Sequence, residues 1–189
     1  MRVSREQAAQ NRERIVETAS RLFREKGYDG IGVADLMKSA GLTHGGFYGH
    51  FASKEDLLAE AFAKAMETSA QRWREKLAEH PANPRAALAQ MYLTAKHRDN
   101  PGSGCALASL GPDVSRVGPE VRQAMADSFQ SQIAALAEAL PGAPDQQRRD
   151  AITTYAALVG GLVLARSVAD PKQSDEILAA VLATLEQGG

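Results

Sequence analysis

Apolar residues recur along this chain at the three- and four-residue spacing that is typical of amphipathic helices. The first such pattern predicts a helix that is capped by Ser4 and stopped by Gly27. Two short helices are predicted after it, over residues 33–40 and 43–50, with a tight glycine turn between them. The pattern therefore predicts a cluster of three helices at the beginning of the chain.

A long fourth helix is predicted to open at Ser53, because the sequence SKED fits the helix-capping pattern of Ser or Thr followed by an acidic residue. The segment HPANP (80–84) ends this helix. Its apolar stripe consists of Leu57, Leu58, Ala61, Phe62, Ala65, Met66, Trp73 and Leu77. A stripe of this length predicts a helix that is buried along one side.

Five more helices are predicted in the rest of the chain. They are one that carries Leu88, Met91, Tyr92 and Ala95, a short one over 105–114 interrupted at Gly111–Pro112, and three over 119–140, 146–168 and 174–186. Alternation of apolar and polar residues, the pattern of strands, is scarce. We expect an all-α fold of about nine helices, with an N-terminal three-helix domain over residues 1–54 and a larger helical domain over residues 55–189.

Composition places the chain among ordinary globular proteins, since 44% of its 189 residues are hydrophobic and 24% are charged. The longest apolar run, residues 151–165, is shorter than the roughly 20 residues of a membrane span. No signal peptide is recognisable, so a cytoplasmic location and no membrane partner are expected. The single cysteine, Cys105, excludes an intramolecular disulfide and suits a reducing compartment.

Charge is divided unevenly along the chain. Residues 1–54 carry nine Lys and Arg against six Asp and Glu, a surplus of three positive charges. Residues 55–189 carry thirteen against seventeen, a surplus of four negative charges. A basic N-terminal part on an acidic body is compatible with a nucleic-acid partner, although a few charges alone do not establish one.

The segment 41–58, GLTHGGFYGHFASKEDLL, combines four glycines with histidines and aromatic residues. A helix, a glycine turn and a short second helix form the helix-turn-helix pattern, in which the second helix enters the DNA major groove. Glycines would let the helix backbone approach DNA closely, while Phe47 and Phe51 would anchor its other side. A plain structural turn is the alternative that these residues leave open.

The histidines of this segment also suggest a metal site. His44 and His50, however, lie six residues apart and would point about 240° from each other on an α-helix. No ExxH pair of the di-iron type occurs, and GGFYG lacks the spacing of a phosphate-binding loop. We therefore predict neither a metal nor a cofactor.

Residues 11–58 resemble the DNA-binding domain of the TetR (tetracycline-repressor) family of bacterial transcription regulators. The resemblance is carried by NRERIVETASRLFREKGYDG, by the turn AGLT and, most specifically, by the pattern FYxHFxSKEDLL. It implies contacts with a double-stranded DNA operator from Thr43, His44, Gly45, Gly46, Tyr48, His50 and Lys54. Thr43 would cap the recognition helix, His44 and the two glycines would face base edges, and the others would bind phosphates.

The sequence departs from the family pattern at four positions. Gly32 stands where a capping Ser or Thr is usual, and Met37 replaces a small residue. Gly46 and Gly49 lack side chains that often read bases. These departures bear on which operator is read and not on whether DNA is bound.

The last two predicted helices are the expected homodimer surface, because small residues permit close approach and the surrounding residues are apolar. The candidates are Ala156, Gly160, Gly161, Val163, Leu178 and Leu182. The TetR-like resemblance implies a four-helix bundle between two subunits at this place. The alternative is that these residues form the core of a single subunit.

Two triggers are compatible with the body. Cys105 follows the loop NPGSG at a predicted helix start, where access and the helix dipole would favour a reactive thiolate, and the sequence GCALASLGPDV resembles a TetR subgroup with a cysteine that meets electrophiles or oxidants. A buried structural cysteine is the alternative. A small apolar molecule could instead bind among Trp73, Met91, Tyr92, His97, Phe129 and Tyr155. In either case the expected function is that of a DNA-binding repressor.

An enzyme or carrier with a vestigial helix-turn-helix is the competing class. The sequence offers it no nucleophile and base pair, no carboxylate pair and no metal-ligand spacing. We expect a regulator that is not an enzyme.

Overall fold

The computed structural model describes residues 4–187 apart from the side chains of residues 120 and 124, and these residues form α-helices and two short 3-10 segments without a strand among them. Residues 1–3 and 188–189, the outer ends of the two predicted domains, lie outside the described residues. The helices are α1 (Arg5–Lys26), α2 (Val33–Ser39), α3 (Lys54–Glu79), α4 (Pro84–Tyr92), α5 (Ala95–Asp99), α6 (Ala106–Val114), α7 (Pro119–Ala139), α8 (Pro144–Ser167) and α9 (Pro171–Gln187). The 3-10 segments are His44–Gly49 and Pro101–Ser103. The all-α prediction is confirmed.

The first helices begin and end where their capping residues require it. Ser4 Oγ accepts a hydrogen bond from the Gln7 backbone N–H at 3.1 Å, and Ser53 Oγ accepts one from the Asp56 N–H at 3.0 Å. Each bond satisfies one of the backbone donors that a helix leaves free in its first turn. At the other end of α1, Gly27 has a φ of 78°, which L side chains rarely adopt.

Two hydrophobic cores lie one after the other along α3. The N-terminal core contains the buried faces of α1, α2, the segment His44–Gly49 and the first half of α3, together with residues of α6 and α7. The body core contains Trp73 and Leu77 from the end of α3 and the buried residues of α4, α7, α8 and α9. All eight residues of the predicted α3 stripe are buried, so this helix connects the two cores as its pattern indicates.

Two predictions about the middle of the chain are wrong. The fifth helix is two helices, because Leu93 and Thr94 leave helical geometry and the Thr94 side chain caps α5 by accepting from the His97 N–H at 3.1 Å. The break predicted at Gly111–Pro112 is absent, since α6 continues through Pro112. Proline removes only one backbone hydrogen bond, and a short helix near its end tolerates that loss.

Helix α6 reaches both cores. Cys105, the residue before its first turn, packs in the body core, whereas Ala106 and Leu110 pack in the N-terminal core. Leu107 contacts both clusters. A displacement of α6 therefore changes packing at both ends of the molecule. No helix within residues 4–187 is both long and apolar enough to cross a membrane.

Candidate nucleic-acid interface and effector cavity

The recognition segment, His44–Gly49, is a 3-10 helix that rests on buried aromatic rings. Phe47 is fully buried, and Phe51 is 2% exposed, with its ring centroid 5.7 Å from that of Phe47. The face turned away from the core is open to solvent, and Tyr48 on it is 69% exposed. An exposed ridge on a buried base is what insertion into a groove requires.

The glycines in and before the recognition segment meet different structural requirements. Gly41, in the turn before the segment, has a φ of 70° and is required by the backbone itself. A Cβ added at Gly45 or Gly49 would meet no atom within 4 Å. Packing inside the chain therefore does not demand glycine at these two positions, which is compatible with close approach of an outside molecule.

The predicted phosphate contacts fall in two groups. Thr43 occupies the N-cap position, but its side chain makes no capping bond, so its exposed hydroxyl is free to meet another acceptor or donor. Lys54 is already engaged, since its Nζ donates to the Tyr28 carbonyl at 2.5 Å and lies 4.2 Å from the centre of the Tyr28 ring. Burial lowers the pKa of Lys54. A phosphate contact by Lys54 would have to share its ammonium group with this carbonyl.

The histidines of the segment form no metal centre. Within residues 4–187 no group of three or more His, Cys, Asp or Glu side chains could hold a metal ion. His44 instead lies in edge contact with Tyr48, their ring centroids 6.4 Å apart.

The candidate dimer residues divide between the inside and the outside of the chain. Ala156 and Val163 are exposed, and Gly160 and Leu182 are half-buried. Gly161 and Leu178 were expected at the dimer surface, but both are buried within the subunit. A Cβ at Gly161 would approach Val181 to 3.2 Å, so this glycine serves the contact between α8 and α9.

A cavity of about 420 Å³, the candidate effector cavity, lies between α1, the second half of α3, the end of α4 and residues 94–105. Its lining includes four of the predicted pocket residues, Trp73, Met91, Tyr92 and His97, and also Cys105. The two triggers that the sequence presented as alternatives thus meet in one place.

Phe129 and Tyr155, the other two predicted pocket residues, do not line this cavity. The Tyr155 ring packs between those of Trp73 and Phe129, with centroid distances of 5.1 Å to each. Its hydroxyl donates to Gln132 Oε1 at 2.6 Å. These residues are core that supports the wall of the cavity.

Cys105 is 5% exposed, so the expectation that the preceding loop leaves it open to solvent is wrong. The loop instead folds onto α1, and a Cβ at Gly102 would meet the Glu25 side chain at 2.3 Å. The helix start is as predicted, with Cys105 at the N-cap of α6. A reagent would reach this thiol through the cavity.

His97 holds the backbone of Cys105 in place. Its Nδ1 lies 2.7 Å from the Tyr92 carbonyl and its Nε2 lies 2.9 Å from the Cys105 N–H. Because the carbonyl can only accept and the amide can only donate, the imidazole is neutral with its proton on Nδ1. Burial lowers the pKa of His97, and the charges of Arg166 and Arg72 act in the same direction.

The hydroxyl of Tyr92 is the unusual polar group of the cavity wall. Tyr92 is 3% exposed, and its hydroxyl has no nitrogen or oxygen partner among the described residues. Burial raises the pKa of Tyr92 well above its ordinary value, and the neighbouring Cys105 thiol, a weak hydrogen-bonding group, raises it further. A buried hydroxyl without a strong hydrogen bond costs about 1–3 kcal/mol of stability.

Three hydrogen bonds connect the cavity to the DNA-binding end, and sequence reasoning missed all of them. Arg24 Nη1 on α1 donates to the Gly104 carbonyl at 2.7 Å. At the far end of α6, Asp113 Oδ2 accepts from the Tyr28 N–H at 3.0 Å, and the Tyr28 carbonyl accepts from Lys54. The only signal was that Arg24 stands in the last turn of α1, where it reads as an ordinary helix-end cation.

Comparisons with known proteins agree with this arrangement. Residues 15–61 match the family model of bacterial regulatory proteins of the tetR family. The chain is 29% identical over 132 residues to the HTH-type transcriptional repressor NemR of Escherichia coli, covering 68% of this chain and 66% of that protein. It is 28% identical over 92 residues to the HTH-type transcriptional regulator AcrR of Shigella flexneri, covering 49% and 43%. The chain thus spans less than two thirds of these curated relatives.

The similarity of the three-dimensional structures extends further along the chain. The crystal structure of E. coli NemR in its reduced form matches with a TM-score of 0.77 and 27% identity, over 94% of this chain and 95% of that one. The likeness therefore includes the body as well as the recognition segment.

Proposed function

Because the chain belongs to the TetR family of transcriptional regulators, we propose that it is a homodimeric repressor that binds a palindromic DNA operator. A small molecule or a modification in the cavity beside Cys105 causes it to dissociate from the operator. The observation that carries the proposal is the double membership of α6, which starts at the cavity and packs in the core beneath the DNA-binding helices. An enzymatic role has no comparable arrangement of side chains in its favour.

DNA binding is assigned to the recognition segment and its neighbours. Thr43, His44 and the Gly45–Gly46 backbone face base edges and the nearest phosphates, while Tyr48, His50 and Lys54 bind phosphates. The repressors among the similar proteins support this role.

Two copies are needed because one recognition segment neutralises few phosphates and binds weakly. Among residues 4–187 the exposed large apolar side chains are Tyr48, Ile152, Val163 and Leu164, so all but the DNA-facing one lie on α8. Ile152, Val163 and Leu164 lie on one side of α8 with Ala156 and Gly160. We assign this α8 stripe to the dimer interface, with the outer face of α9, including Leu182, beside it.

Release begins with a small molecule in the cavity or with modification of Cys105 by an electrophile. In a conjugate addition the sulfur forms a bond to the β-carbon of the electrophile, the carbon–carbon π bond breaks, and the thiol proton ends on the α-carbon. The adduct fills the cavity at the first turn of α6. Because Asp113 at the other end of α6 holds Tyr28, which in turn holds Lys54, movement of α6 reaches the base of the recognition segment.

DNA taken from beside the chain's own gene provides the test of this proposal. Fluorescence anisotropy at fixed salt should show binding that exceeds binding to a random duplex by at least about a thousandfold, as specific regulators do. Sedimentation should show a dimer that Leu164→Glu dissociates while its helical circular dichroism is kept. Equal affinity for both duplexes, even after selection from a random DNA library, would refute the DNA-binding assignment.

A further inference from the structure

The walls of the effector cavity carry far more positive charge than the rest of the body. Four cationic side chains line it, against the single carboxylate of Glu17; they are Arg24, Lys64, Arg72 and Lys96. The cavity thus has a surplus of three positive charges in a chain whose net charge is −1. Such a concentration of like charge in a concave site attracts anions.

These cations have no acidic partner within the described residues. Arg24 donates only to neutral oxygens, the Ser20 carbonyl at 2.8 Å, the Ser20 hydroxyl at 3.3 Å and the Gly104 carbonyl. The side chains of Arg72, Lys64 and Lys96 are exposed at the rim of the cavity, and their charged ends make no hydrogen bond or ion pair with any described residue.

By contrast, Arg21 forms an ion pair with Glu25 at 3.0 Å. Arg21 also lies on α1 but does not line the cavity. Arg21 therefore has the acidic partner that Arg24, on the same helix, lacks.

Arg24 and Arg72 are close enough to repel each other. Burial lowers the pKa of the Arg24 guanidinium; Cys105 and Glu25 raise it, and the positive charge of Arg72 lowers it further. An oxyanion between the two groups would remove this repulsion and would form charge-assisted hydrogen bonds with them.

The inner wall of the cavity is apolar and aromatic. Trp73 and Tyr92 are almost fully buried there. A volume of about 420 Å³ suits a small organic molecule and not a long lipid.

We propose that the effector is an amphiphilic oxyanion, whose carboxylate or phosphate binds Arg24 and Arg72 and whose apolar part lies on Trp73 and Tyr92 next to Cys105. This inference rests on the proposed function, because it names the ligand class of the cavity through which DNA is released. The anion competes with the Gly104 carbonyl for Arg24, so its binding loosens the loop before Cys105 from α1.

Trp73 is the one tryptophan of the chain and lines the cavity, so its fluorescence reports occupancy directly. The probes are octanoate, octyl phosphate and the neutral octanamide, which has the size of octanoate. We expect octanoate, octyl phosphate or both to bind about tenfold more tightly than octanamide, as charge-assisted hydrogen bonds would cause. The stronger of the two distinguishes a carboxylate from a phosphate ligand.

Two matched variants locate the effect. Arg72→Gln should bring the affinities for anion and amide to near equality. Arg74→Gln is the control, because Arg74 lies on the same helix, does not line the cavity and bonds only to Gln71. The inference is overturned if neither anion binds saturably, if octanamide binds as tightly, or if both variants keep the same preference.

Anisotropy on the operator duplex separates this inference from the proposed function. Selective anion binding that leaves DNA affinity unchanged would uphold the ligand class and contradict release through the cavity. Release by a thiol reagent without any anion preference would uphold the proposed function and overturn the ligand class.

Discussion

The recognition segment and the effector cavity both leave polar groups without partners, but in opposite surroundings. At the recognition segment the free groups are exposed, and water satisfies them until DNA replaces it. In the cavity the Tyr92 hydroxyl is buried without a nitrogen or oxygen partner, and the half-buried Arg24 donates only to neutral oxygens. The unpaired polar groups of the recognition segment therefore cost the free protein little stability. The buried polar groups of the cavity cost it more, and a ligand can reduce that cost.

The two places also differ in how they are held. The recognition segment is anchored in the N-terminal core by the buried rings of Phe47 and Phe51. The loop before Cys105 is held by the hydrogen bond that Arg24 donates to the Gly104 carbonyl and by the one that His97 accepts from the Cys105 N–H, and a ligand or a proton can break them. A repressor that responds to a signal needs a DNA-contacting segment that is anchored in the core and a regulatory loop whose hydrogen bonds can be broken.

Stability should depend most on the aromatic base of the recognition segment. Phe47→Ala should destabilise the protein by about 3–5 kcal/mol, because a fully buried ring is removed from the N-terminal core. Tyr48→Ala, at the exposed neighbouring residue, should change stability by less than about 0.5 kcal/mol and yet weaken operator binding. Urea unfolding and anisotropy measure the two effects, and equal destabilisation by both variants would contradict the description of an exposed ridge on a buried base.

The two buried tyrosines of the body should respond with opposite signs. Tyr92→Phe removes an unbonded hydroxyl and should stabilise the protein by about 1 kcal/mol, or roughly 2–4 °C in Tm. Tyr155→Phe removes the partner of Gln132 and should destabilise it by about 1–3 kcal/mol. Calorimetry of the pair provides the test, and a loss of stability in Tyr92→Phe would show that its hydroxyl is already bonded.

Low pH should weaken the hydrogen bond between the Cys105 N–H and His97 Nε2. The folded-state pKa of His97 is lowered, so the unfolded chain takes up the proton first and stability falls as pH drops below about 6.5. Above that pH the residue contributes no pH dependence. His97→Gln should therefore lose less stability than the wild type between pH 7.5 and 5.5, by less than about 1 kcal/mol. Identical pH profiles in urea unfolding would exclude a neutral, bonded His97.

The smallest effect is expected at a single phosphate contact. Tyr48→Phe keeps the ring and removes only the hydroxyl, so binding should weaken by severalfold. The salt slope should remain nearly unchanged, because a hydroxyl releases no counterion, whereas Lys54→Ala should lower the slope by about 0.9. A slope that Lys54→Ala leaves unaltered would mean that Lys54 serves only the Tyr28 carbonyl.

The helices could be predicted from the sequence because their causes are local. The caps at Ser4 and Ser53 and the eight-residue stripe of α3 depend on neighbours within a few turns. The 3-10 geometry of His44–Gly49 and the break at Thr94 were not predictable, since small differences in backbone hydrogen bonding decide them.

The cavity could be predicted only in part. Its aromatic wall followed from helical spacing, but the bonds of Arg24 to Gly104 and of Tyr28 to Asp113 join residues 80 and 85 positions apart. Lys64, Thr68 and Arg72 do form a polar row at four-residue spacing on α3, a signal that could have indicated the cationic wall. Such a row is also typical of a solvated helix face, so the fold was needed to interpret it.

The central claim is that α6 transmits an event at Cys105 to the DNA-binding helices, and an operator titration by anisotropy with and without a thiol-alkylating reagent tests it most directly. Wild type should bind and be released by the reagent, Cys105→Ser should bind and stay bound, and Asp113→Ala should bind but be released far less. Release of Asp113→Ala as complete as that of the wild type would contradict transmission through α6. Alkylation of Cys105 that leaves wild-type binding unchanged would contradict the regulatory role of the cavity thiol itself.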